Sequence, residues 1–220
     1  MPDRAAPTLL LDLDGTLVDS APDLAACLNR LLASRGFAPL APTAVVAMIG
    51  DGVGMLLQRG FAARDAVPDA QALADFMADY AAHLADATRP YPGAAAALAR
   101  LRGAGWRLGV CTNKPEALAR GVLAATGLLP AIAAIGGGDS FPVRKPDPGH
   151  VRATLARAGG DPARAVMAGD HRNDILAAHG AGLPCVFAAW GYGTPDMATG
   201  AAAVADRFAD LPALVARLLP

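Results

Sequence analysis

The chain has 220 residues, of which 54% are hydrophobic and 18% are charged, and this composition excludes a disordered protein. The length suits one sizeable domain, or a core that carries a small insertion. The formal net charge of −1 gives no electrostatic basis for binding nucleic acid or an anionic membrane surface, so neither partner is expected.

From the sequence we expect neither a membrane span nor an export signal. No apolar run approaches the roughly 20 residues that cross a bilayer, and the segment MPDRAAPT lacks the apolar core of a signal peptide. Cys27, Cys111 and Cys185 stand in apolar contexts, as reduced core thiols do. We therefore expect a cytoplasmic protein. Its assembly is left open between a monomer and a homodimer. Only two lysines, Lys114 and Lys145, accompany seventeen arginines, so the position of each lysine is informative.

The first element is predicted by an apolar run at residues 9–11, which has the character of a buried parallel strand. The run ends at Asp12 and Asp14, and Gly15-Thr16 then suggests a turn. Side chains two residues apart on a strand point to the same face. Both carboxylates are therefore expected to project from the carboxyl end of the strand, where ligands bind in open α/β sheets. Two like charges this close need a cation between them, or one must stay protonated.

The pair of aspartates has other interpretations. Asp12 and Asp14 could simply cap a turn. A calcium-binding loop of the EF-hand type is excluded, because that pattern needs a third Asp or Asn at its fifth position and glycine at its sixth, whereas Gly15 comes fourth.

The next stretch, residues 20–88, shows helical periodicity alone. Apolar side chains recur at positions i, i+3, i+4, i+7 and i+8 from Leu24 to Leu32. Three further helices are predicted, over residues 43–48, 55–63 and 71–87. The glycines of residues 50–54 are interpreted as a loop and not as a dinucleotide-binding fingerprint, since no clear strand precedes them. The sequence therefore predicts an all-helical insertion after the first strand.

From residue 91 onward, predicted helices alternate with predicted strands. The helices are expected over residues 94–102, 116–126, 149–158, 174–179 and 211–219. The strands are expected over residues 106–111, 131–135, 165–168 and 184–188. Such alternation implies right-handed βαβ units, so the predicted fold class is α/β with a parallel sheet.

A hydroxyl group ends the strand predicted at residues 106–111. Thr112 lies between that strand and the next helix, a junction where hydroxyl and backbone N–H groups can hold a phosphate. The alternative is a helix cap formed by Thr112 or Asn113, since Asn113 and Glu116 have the spacing of a capping box.

The second lysine stands directly before a proline. Pro146 biases Lys145 toward an extended conformation, while Asp147 suits the cap of the following helix and Pro148 its first position. We interpret Lys145 as a fixed positive charge for a phosphate. The alternative is an ordinary solvated lysine.

Two more carboxylates, Asp170 and Asp174, follow the strand predicted at residues 165–168. They too are expected outside the carboxyl edge of the sheet. Oxygen ligands at this density suit Mg²⁺, which binds one or two carboxylates together with water and substrate phosphate. Capping of the next helix by Asn173 or Asp174 is the alternative.

Together, these four groups of residues resemble the motifs of the haloacid dehalogenase superfamily, which consists mainly of phosphatases with an aspartate nucleophile. The string LLLDLDGTLVDS is similar to the first motif, hDxDGT, and the threonine, lysine and aspartate motifs follow in the family's order. The resemblance covers nearly the whole chain. It implies a Rossmann-like parallel-sheet core, residues 1–19 and 89–220, with an inserted all-helical (C1-type) cap, residues 20–88.

The resemblance also implies a role for each motif. Asp12 would attack phosphorus to form an aspartyl-phosphate, and Asp14 would protonate the leaving oxygen and later activate water. Thr112 and Lys145 would bind the phosphoryl oxygens, with Asn113 in the same substrate site. The implied cofactor is Mg²⁺, held by the carboxylates of Asp12 and Asp170 and by the backbone carbonyl of Asp14. Asp174 would be either a further ligand or a residue that supports the ligands from behind.

Two features narrow the set of enzymes within this superfamily that the chain resembles. No lysine occurs in residues 20–88, whereas the related phosphonate hydrolases use a cap lysine, and Asp14 is present, whereas the dehalogenases lack it. Phosphatases and phosphoglucomutases remain, and the chain is most similar to the phosphoglycolate phosphatases. The similar phrases are Tyr91-Pro92-Gly93, Thr112-Asn113-Lys114-Pro115, Gly137-Gly138-Asp139-Ser140, Arg144-Lys145-Pro146-Asp147-Pro148 and Gly191-Tyr192-Gly193.

The expected substrate is therefore a small phosphate ester, 2-phosphoglycolate. Asp51 departs from the family's usual Gly-Asn-Gly in the cap loop, and His171 replaces a more usual Ser or Thr. Arg59 is the cap residue that could bind a substrate carboxylate, with a solvated arginine as the alternative. A phosphatase for a sugar phosphate or pyrophosphate, a phosphoglucomutase and a non-catalytic phosphate-binding module are the other candidates.

Overall fold

The structure, a computed structural model, describes residues 6–219. Residues 1–5 and 220, which belong to the predicted core and include most of MPDRAAPT, lie outside the described residues. The strands are β1 (Thr8–Leu11), β2 (Val18–Asp19), β3 (Arg89–Pro90), β4 (Arg107–Cys111), β5 (Ala134–Gly136), β6 (Ala165–Gly169), β7 (Cys185–Ala188) and β8 (Ala203–Ala205).

The helices alternate with these strands after an initial group of four. They are α1 (Ala21–Ser34), α2 (Pro42–Val46), α3 (Val53–Ala62), α4 (Ala72–Ala82), α5 (Ala94–Gly103), α6 (Glu116–Ala125), α7 (Pro148–Arg157), α8 (Arg172–Ala181) and α9 (Leu211–Leu218). Single turns of 3₁₀-helix lie at Leu129–Ala131, Pro162–Arg164, Pro195–Ala198 and Phe208–Asp210. Within residues 6–219, no helix is both long and apolar enough to cross a membrane.

Six strands form one parallel sheet in the order β5–β4–β1–β6–β7–β8. β1 is central, since Leu11 pairs with Val110 of β4 on one side and with Ala168 of β6 on the other. The chain runs outward from β1 to β5 and then returns to form β6, β7 and β8 on the other side. The strand order therefore reverses beside β1, and ligand sites form at such reversals, outside the carboxyl ends of the strands.

The alternation of side chains along β1 divides the core between the two faces of the sheet. Leu9 and Leu11 pack on one face, in a cluster with Phe208, while Leu10 packs on the other face, in a cluster with Ile175. All three leucines are fully buried, and each buried leucine side chain contributes about 1.5–3 kcal/mol to folding. The loop after β1 thus starts from a firmly held strand.

Helices α1 to α4 lie between β2 and β3 and share a hydrophobic cluster, which Leu118 of α6 also joins. Leu28 of α1, Phe61 of α3 and Phe76 of α4 are buried in it. β2 and β3 pair antiparallel, with Asp19 opposite Arg89, so the outgoing and returning segments of the chain lie side by side. The chain thus enters and leaves the helical insertion at one place.

The predicted parallel α/β fold is confirmed, but some elements differ from prediction. The helix predicted over residues 71–87 ends at Ala82. The reason is Asp23, whose carboxylate accepts hydrogen bonds from the backbone N–H groups of Ala87 and Thr88, at 2.9 and 2.8 Å, and holds this segment as a linker. β2, β3 and β8 were not predicted, because two-residue strands have no periodicity and the β8 residues stand among other alanines. The proposed division into core and cap stays a prediction.

Candidate active site

The loop after β1 turns toward the end of β6. The backbone N–H of Asp12 still donates to the carbonyl of Ala168, at 2.9 Å, and Gly15 then adopts a φ of +86°. A Cβ atom at Gly15 would lie only 2.3 Å from Oδ2 of Asp170. The next residue, Thr16, donates from its hydroxyl to Oδ1 of Asp170 at 2.7 Å. Glycine is therefore required here both for the backbone angle and for close approach to Asp170.

Three carboxylates meet where β1 and β6 end. One oxygen from each of Asp12, Asp170 and Asp174 lies within 4.8 Å of the others, and all three residues are buried. Burial and the neighbouring carboxylates raise the pKa of Asp170 to about 8. Burial also raises the pKa of Asp12 to about 6, although the nearby Lys145 opposes the shift. Three carboxylates crowded together carry more negative charge than one neighbouring ammonium balances, and this set of hard oxygen donors fits a divalent cation such as Mg²⁺.

Lys145 is the cation that lies within this acidic cluster. Its Nζ is 2.9 Å from Oδ1 of Asp12 and 2.5 Å from Oδ1 of Asp174, and the side chain is 1% exposed. Burial favours the neutral amine, but the attraction of the two carboxylates outweighs burial and raises the pKa of Lys145. The alternative of a solvated lysine is therefore wrong. As predicted, Asp147 caps α7, accepting from the N–H of Gly149 at 2.7 Å.

Thr112 and Asn113, which directly follow β4, form hydrogen bonds next to the acidic cluster. The hydroxyl of Thr112 accepts from the N–H of Lys114 at 3.2 Å. The amide nitrogen of Asn113 donates to the carbonyls of Lys145 and Gly50, at 3.0 and 3.1 Å. These bonds join the loop before α7, which carries Lys145, to the loop before α3, which carries Gly50. Asn113 does not cap α6, because the N–H of Glu116 donates to a different residue, Asp139, at 2.7 Å. That alternative is wrong.

Asp14 faces away from the other carboxylates and toward Lys114. The Nζ of Lys114 donates to both oxygens of Asp14, at 2.8 and 2.9 Å, and the hydroxyl of Ser20 donates to Oδ1 at 2.5 Å. Lys114 was not among the predicted site residues. The signal available in the sequence was the rarity of lysine, because the chain has only two lysines and both lie at this site.

The start of α8 uses one carboxylate for two purposes. The backbone N–H of His171 donates to Oδ2 of Asp174 at 3.0 Å, and the His171 ring in turn accepts from the N–H of Asn173 at 3.2 Å, which forms a capping box. The other oxygen of Asp174 binds Lys145. Capping by Asp174 is therefore correct but incomplete. Asn173 does not cap, and its side chain donates instead to Oδ1 of Asp51 at 2.6 Å.

Arg59, the cap residue predicted to meet a substrate carboxylate, has a different partner. Its guanidinium donates to Oδ2 of Asp51 at 2.5 Å and to the carbonyl of Met48 at 2.9 Å. The structure does not bring Arg59 to the cavity between the helical insertion and the sheet edge, whose lining includes four other predicted residues, Asp12, Asp14, Thr112 and Asn113. Asp51, through Arg59 and Asn173, joins the cap loop to α8.

A cavity of about 40 Å³ lies between the helical insertion and the sheet edge. Its sheet side is polar and its cap side is mainly apolar. The sheet side is formed by Asp12, Asp14, Thr112, Asn113 and Lys114, and the cap side by Leu24, Ile49, Gly50, Gly52, Val53, Leu56 and Tyr80. This volume holds only a few water molecules, so the helices lie close against the site.

A buried acidic cluster and two buried lysines lie at the carboxyl edge of a parallel sheet, an arrangement that can bind a cation and a phosphate group. The family model of haloacid dehalogenase-like hydrolases matches residues 6–182. The chain belongs to this family, and it is a phosphatase.

Three relatives show how far the similarity extends. The phosphoglycolate phosphatase of Caulobacter vibrioides is 45% identical over 217 residues, which cover 96% of this chain and 92% of the relative. The crystal structure of a predicted phosphoglycolate phosphatase from Haemophilus somnus has 30% identity and a TM-score of 0.87, covering 95% and 97% of the two chains. CbbY from Rhodobacter sphaeroides, solved as a mutant with xylulose-(1,5)bisphosphate, has 25% identity and a TM-score of 0.80, covering 94% and 96%.

Proposed function

We propose that this phosphatase is a Mg²⁺-dependent phosphomonoester hydrolase that cleaves 2-phosphoglycolate to glycolate and phosphate. The substrate is suggested by the relatives, several of which are phosphoglycolate phosphatases at 40–46% identity. The observation that carries the mechanism is the position of Asp12. This carboxylate is buried at the end of the central strand, contacts Lys145 and lines the cavity.

In this mechanism Asp12 is the nucleophile. One of its oxygens forms a bond to phosphorus while the bond from phosphorus to the ester oxygen breaks, and the phosphoryl group is transferred to Asp12. Asp14 gives a proton to the departing oxygen, which leaves as an alcohol. Asp14 then takes a proton from a water molecule that attacks phosphorus, releasing phosphate and the Asp12 carboxylate. Asp12 and Asp14 line the same cavity, as these two roles require.

Positive charge and hydrogen-bond donors stabilise the phosphoryl oxygens in this scheme. Lys145 supplies a buried ammonium, and Thr112 supplies a hydroxyl at the end of β4. Mg²⁺ would be held by the carboxylates of Asp12, Asp170 and Asp174 and by the Asp14 carbonyl, and it would add positive charge against the phosphate.

The proposal includes a mobile cap formed by residues 20–88 over a core formed by residues 1–19 and 89–220. A cavity of about 40 Å³ is too small for free exchange of an ester and its products, so the helices would move away to admit substrate. Closure would exclude bulk water from the phosphorylated Asp12. A crosslink that holds the cap against the core should therefore stop turnover, and full activity after crosslinking would contradict cap movement.

The test is phosphate release from 2-phosphoglycolate beside other small esters, with Mg²⁺ and with a chelator. We expect 2-phosphoglycolate to lead in kcat/KM by at least tenfold, or about 1.4 kcal/mol. The chelator and Asp12→Asn should both abolish release. Radiolabelled phosphate should remain on the acid-quenched wild-type protein and be absent from Asp12→Asn. A higher kcat/KM for a different ester would contradict 2-phosphoglycolate as the substrate. The mechanism would then be tested by the radiolabelling experiment alone.

The second candidate is a phosphatase for a sugar phosphate. It is favoured by the similarity to CbbY, whose structure holds a sugar bisphosphate. A ketose bisphosphate and a hexose monophosphate therefore belong in the same assay. A bisphosphate that yields more product isomer than free phosphate would indicate a mutase.

A further inference from the structure

The cavity has one positive side chain on its wall. Among the described residues that line it, Lys114 alone is a cation, and the side chains that reach it from the cap are apolar apart from the hydroxyl of Tyr80. Lys114 is itself paired with Asp14, as Lys145 is with Asp12 and Asp174 and Arg59 is with Asp51, but of these three cations only Lys114 lines the cavity. Arg144 lies nearby, since its Nη1 is 3.7 Å from the position of a Cβ atom at Gly52, and it does not line the cavity either. An anionic group in the body of a substrate would therefore meet Lys114 first.

Lys114 is held rigidly and stays charged. Its side chain is 4% exposed, and its Nζ lies 4.8 Å from the centre of the Tyr80 ring. Burial favours the neutral amine, but the attraction of the Asp14 carboxylate outweighs burial and raises the pKa of Lys114. A buried ammonium on an aromatic face is a strong receptor for a carboxylate, because little solvent competes with the ion pair.

Tyr80 brings a second donor to the same place. Its hydroxyl is buried and has no hydrogen-bond partner among residues 6–219. Burial raises the pKa of Tyr80, so the phenol keeps its proton at neutral pH. An unpaired buried hydroxyl costs free energy, and a ligand oxygen that accepts its hydrogen bond removes that cost.

On the basis of the proposed function, we propose that Lys114 and Tyr80 form a subsite for the carboxylate of the substrate. The enzyme then selects small phosphate esters whose carboxylate lies close to the ester oxygen. In 2-phosphoglycolate one carbon separates the carboxylate from the ester oxygen. When the ester oxygen lies beside Asp14, the carboxylate therefore lies close to Lys114, whose ammonium contacts Asp14.

The test compares two substrates that differ only in this group, 2-phosphoglycolate and 2-hydroxyethyl phosphate, in wild type and variants. The readout is the ratio of their kcat/KM values, because loss of Asp14 positioning lowers both values and cancels in the ratio. We expect Lys114→Met to lower the ratio by about a hundredfold and Tyr80→Phe by about fivefold. Lys114→Arg should keep more of the ratio than Lys114→Met, and Arg59→Met tests the competing cap cation.

Each outcome decides between the subsite and its rivals. An unchanged ratio in both Lys114→Met and Tyr80→Phe overturns the subsite and leaves Lys114 as a positioning residue for Asp14. A ratio that falls only in Arg59→Met assigns the carboxylate to the cap arginine. If Lys114→Met does not fold, as judged by thermal unfolding, the ratio in Tyr80→Phe decides, because this variant keeps the ring under the ammonium.

The same data separate this inference from the proposed substrate. A wild-type enzyme that prefers another ester with a carboxylate, such as 2-phospholactate, contradicts the named substrate and supports the subsite. A preference for 2-phosphoglycolate that survives in Lys114→Met and in Tyr80→Phe supports the substrate and overturns the subsite. No preference for any carboxylate-bearing ester overturns both.

Discussion

The ammonium of Lys145 lies 2.5 Å from Oδ1 of Asp174, and neither side chain is more than 1% exposed. Asp174 uses its other oxygen to cap α8. This one ion pair therefore connects the loop before α7 to the start of α8, at the point where the acidic cluster forms. Its removal should affect folding as well as chemistry.

Replacing Lys145 with methionine should destabilise the protein. Lys145→Met leaves the buried carboxylates of Asp174 and Asp12 without their cation, which costs about 3–5 kcal/mol when one partner of a buried pair is removed. Urea unfolding at pH 7 in the absence of metal measures the loss. The double variant Lys145→Met with Asp174→Asn should recover part of the stability and none of the phosphate release. An unchanged urea midpoint in Lys145→Met would contradict the buried ion pair.

Gly15→Ala should impair the site more than its backbone angle alone explains. The new Cβ would lie 2.3 Å from Oδ2 of Asp170, and φ at Gly15 is +86°. Gly36→Ala is the matched control, because Gly36 has a φ of +80° and open space around it. We expect Gly36→Ala to cost about 1 kcal/mol by thermal unfolding with full activity, and Gly15→Ala to cost more and to lose most phosphate release. Equal effects of the two substitutions would show that the close approach to Asp170 is unimportant.

Mg²⁺ should stabilise the folded protein through Asp170. Ligands that bind only the folded state raise its stability by mass action, by about 2.7 kcal/mol when the free ion is at one hundred times its Kd. The thermal midpoint of the wild type should rise with added Mg²⁺ and return with chelator. Asp170→Asn removes one of the three carboxylates of the cluster and should lose most of this rise. An equal rise in Asp170→Asn would place the ion elsewhere.

The sequence was most informative where a buried strand ends in a polar residue. The apolar run of β1 followed by Asp12, and β6 followed by Asp170, both indicate the carboxyl edge of a parallel sheet. The fold and the convergence of these carboxylates follow from that pattern. What the pattern does not contain is pairing between residues that are distant in the chain.

Lys114 and Arg59 are two examples of this limit. Lys114 was not predicted at the site and lies there, whereas Arg59 was predicted at the site and has another partner. Lys114 binds Asp14 across a separation of 100 residues, so its role depends on how β4 is placed beside β1. Arg59 was assigned to the substrate because it is a cation in the cap, but its guanidinium binds Asp51, eight residues away. A charged side chain in a sequence does not reveal which opposite charge it will meet.

His150 should make stability depend on pH between about 4 and 6.5. The ring is fully buried, and its Nδ1 accepts from the N–H of Lys145 at 3.2 Å. Burial, with a smaller contribution from the charge of Lys145, lowers the pKa of His150 to about 4, whereas the ordinary value is 6.5. The unfolded chain therefore binds a proton in this range and the folded protein does not. Stability from this group is complete above pH 6.5 and declines as the pH falls toward 4.

The variant that isolates this effect is His150→Asn, which keeps an acceptor for the Lys145 N–H and does not titrate. Urea unfolding of both proteins at pH 7 and pH 5 gives the difference in their free energies of unfolding at each pH. From the two pKa values, lowering the pH should cost wild type about 2 kcal/mol more than the variant. Carboxylates that titrate in the same range contribute to both proteins and cancel. A difference that does not change between pH 7 and pH 5 would mean that His150 binds a proton in the folded state as readily as in the unfolded chain.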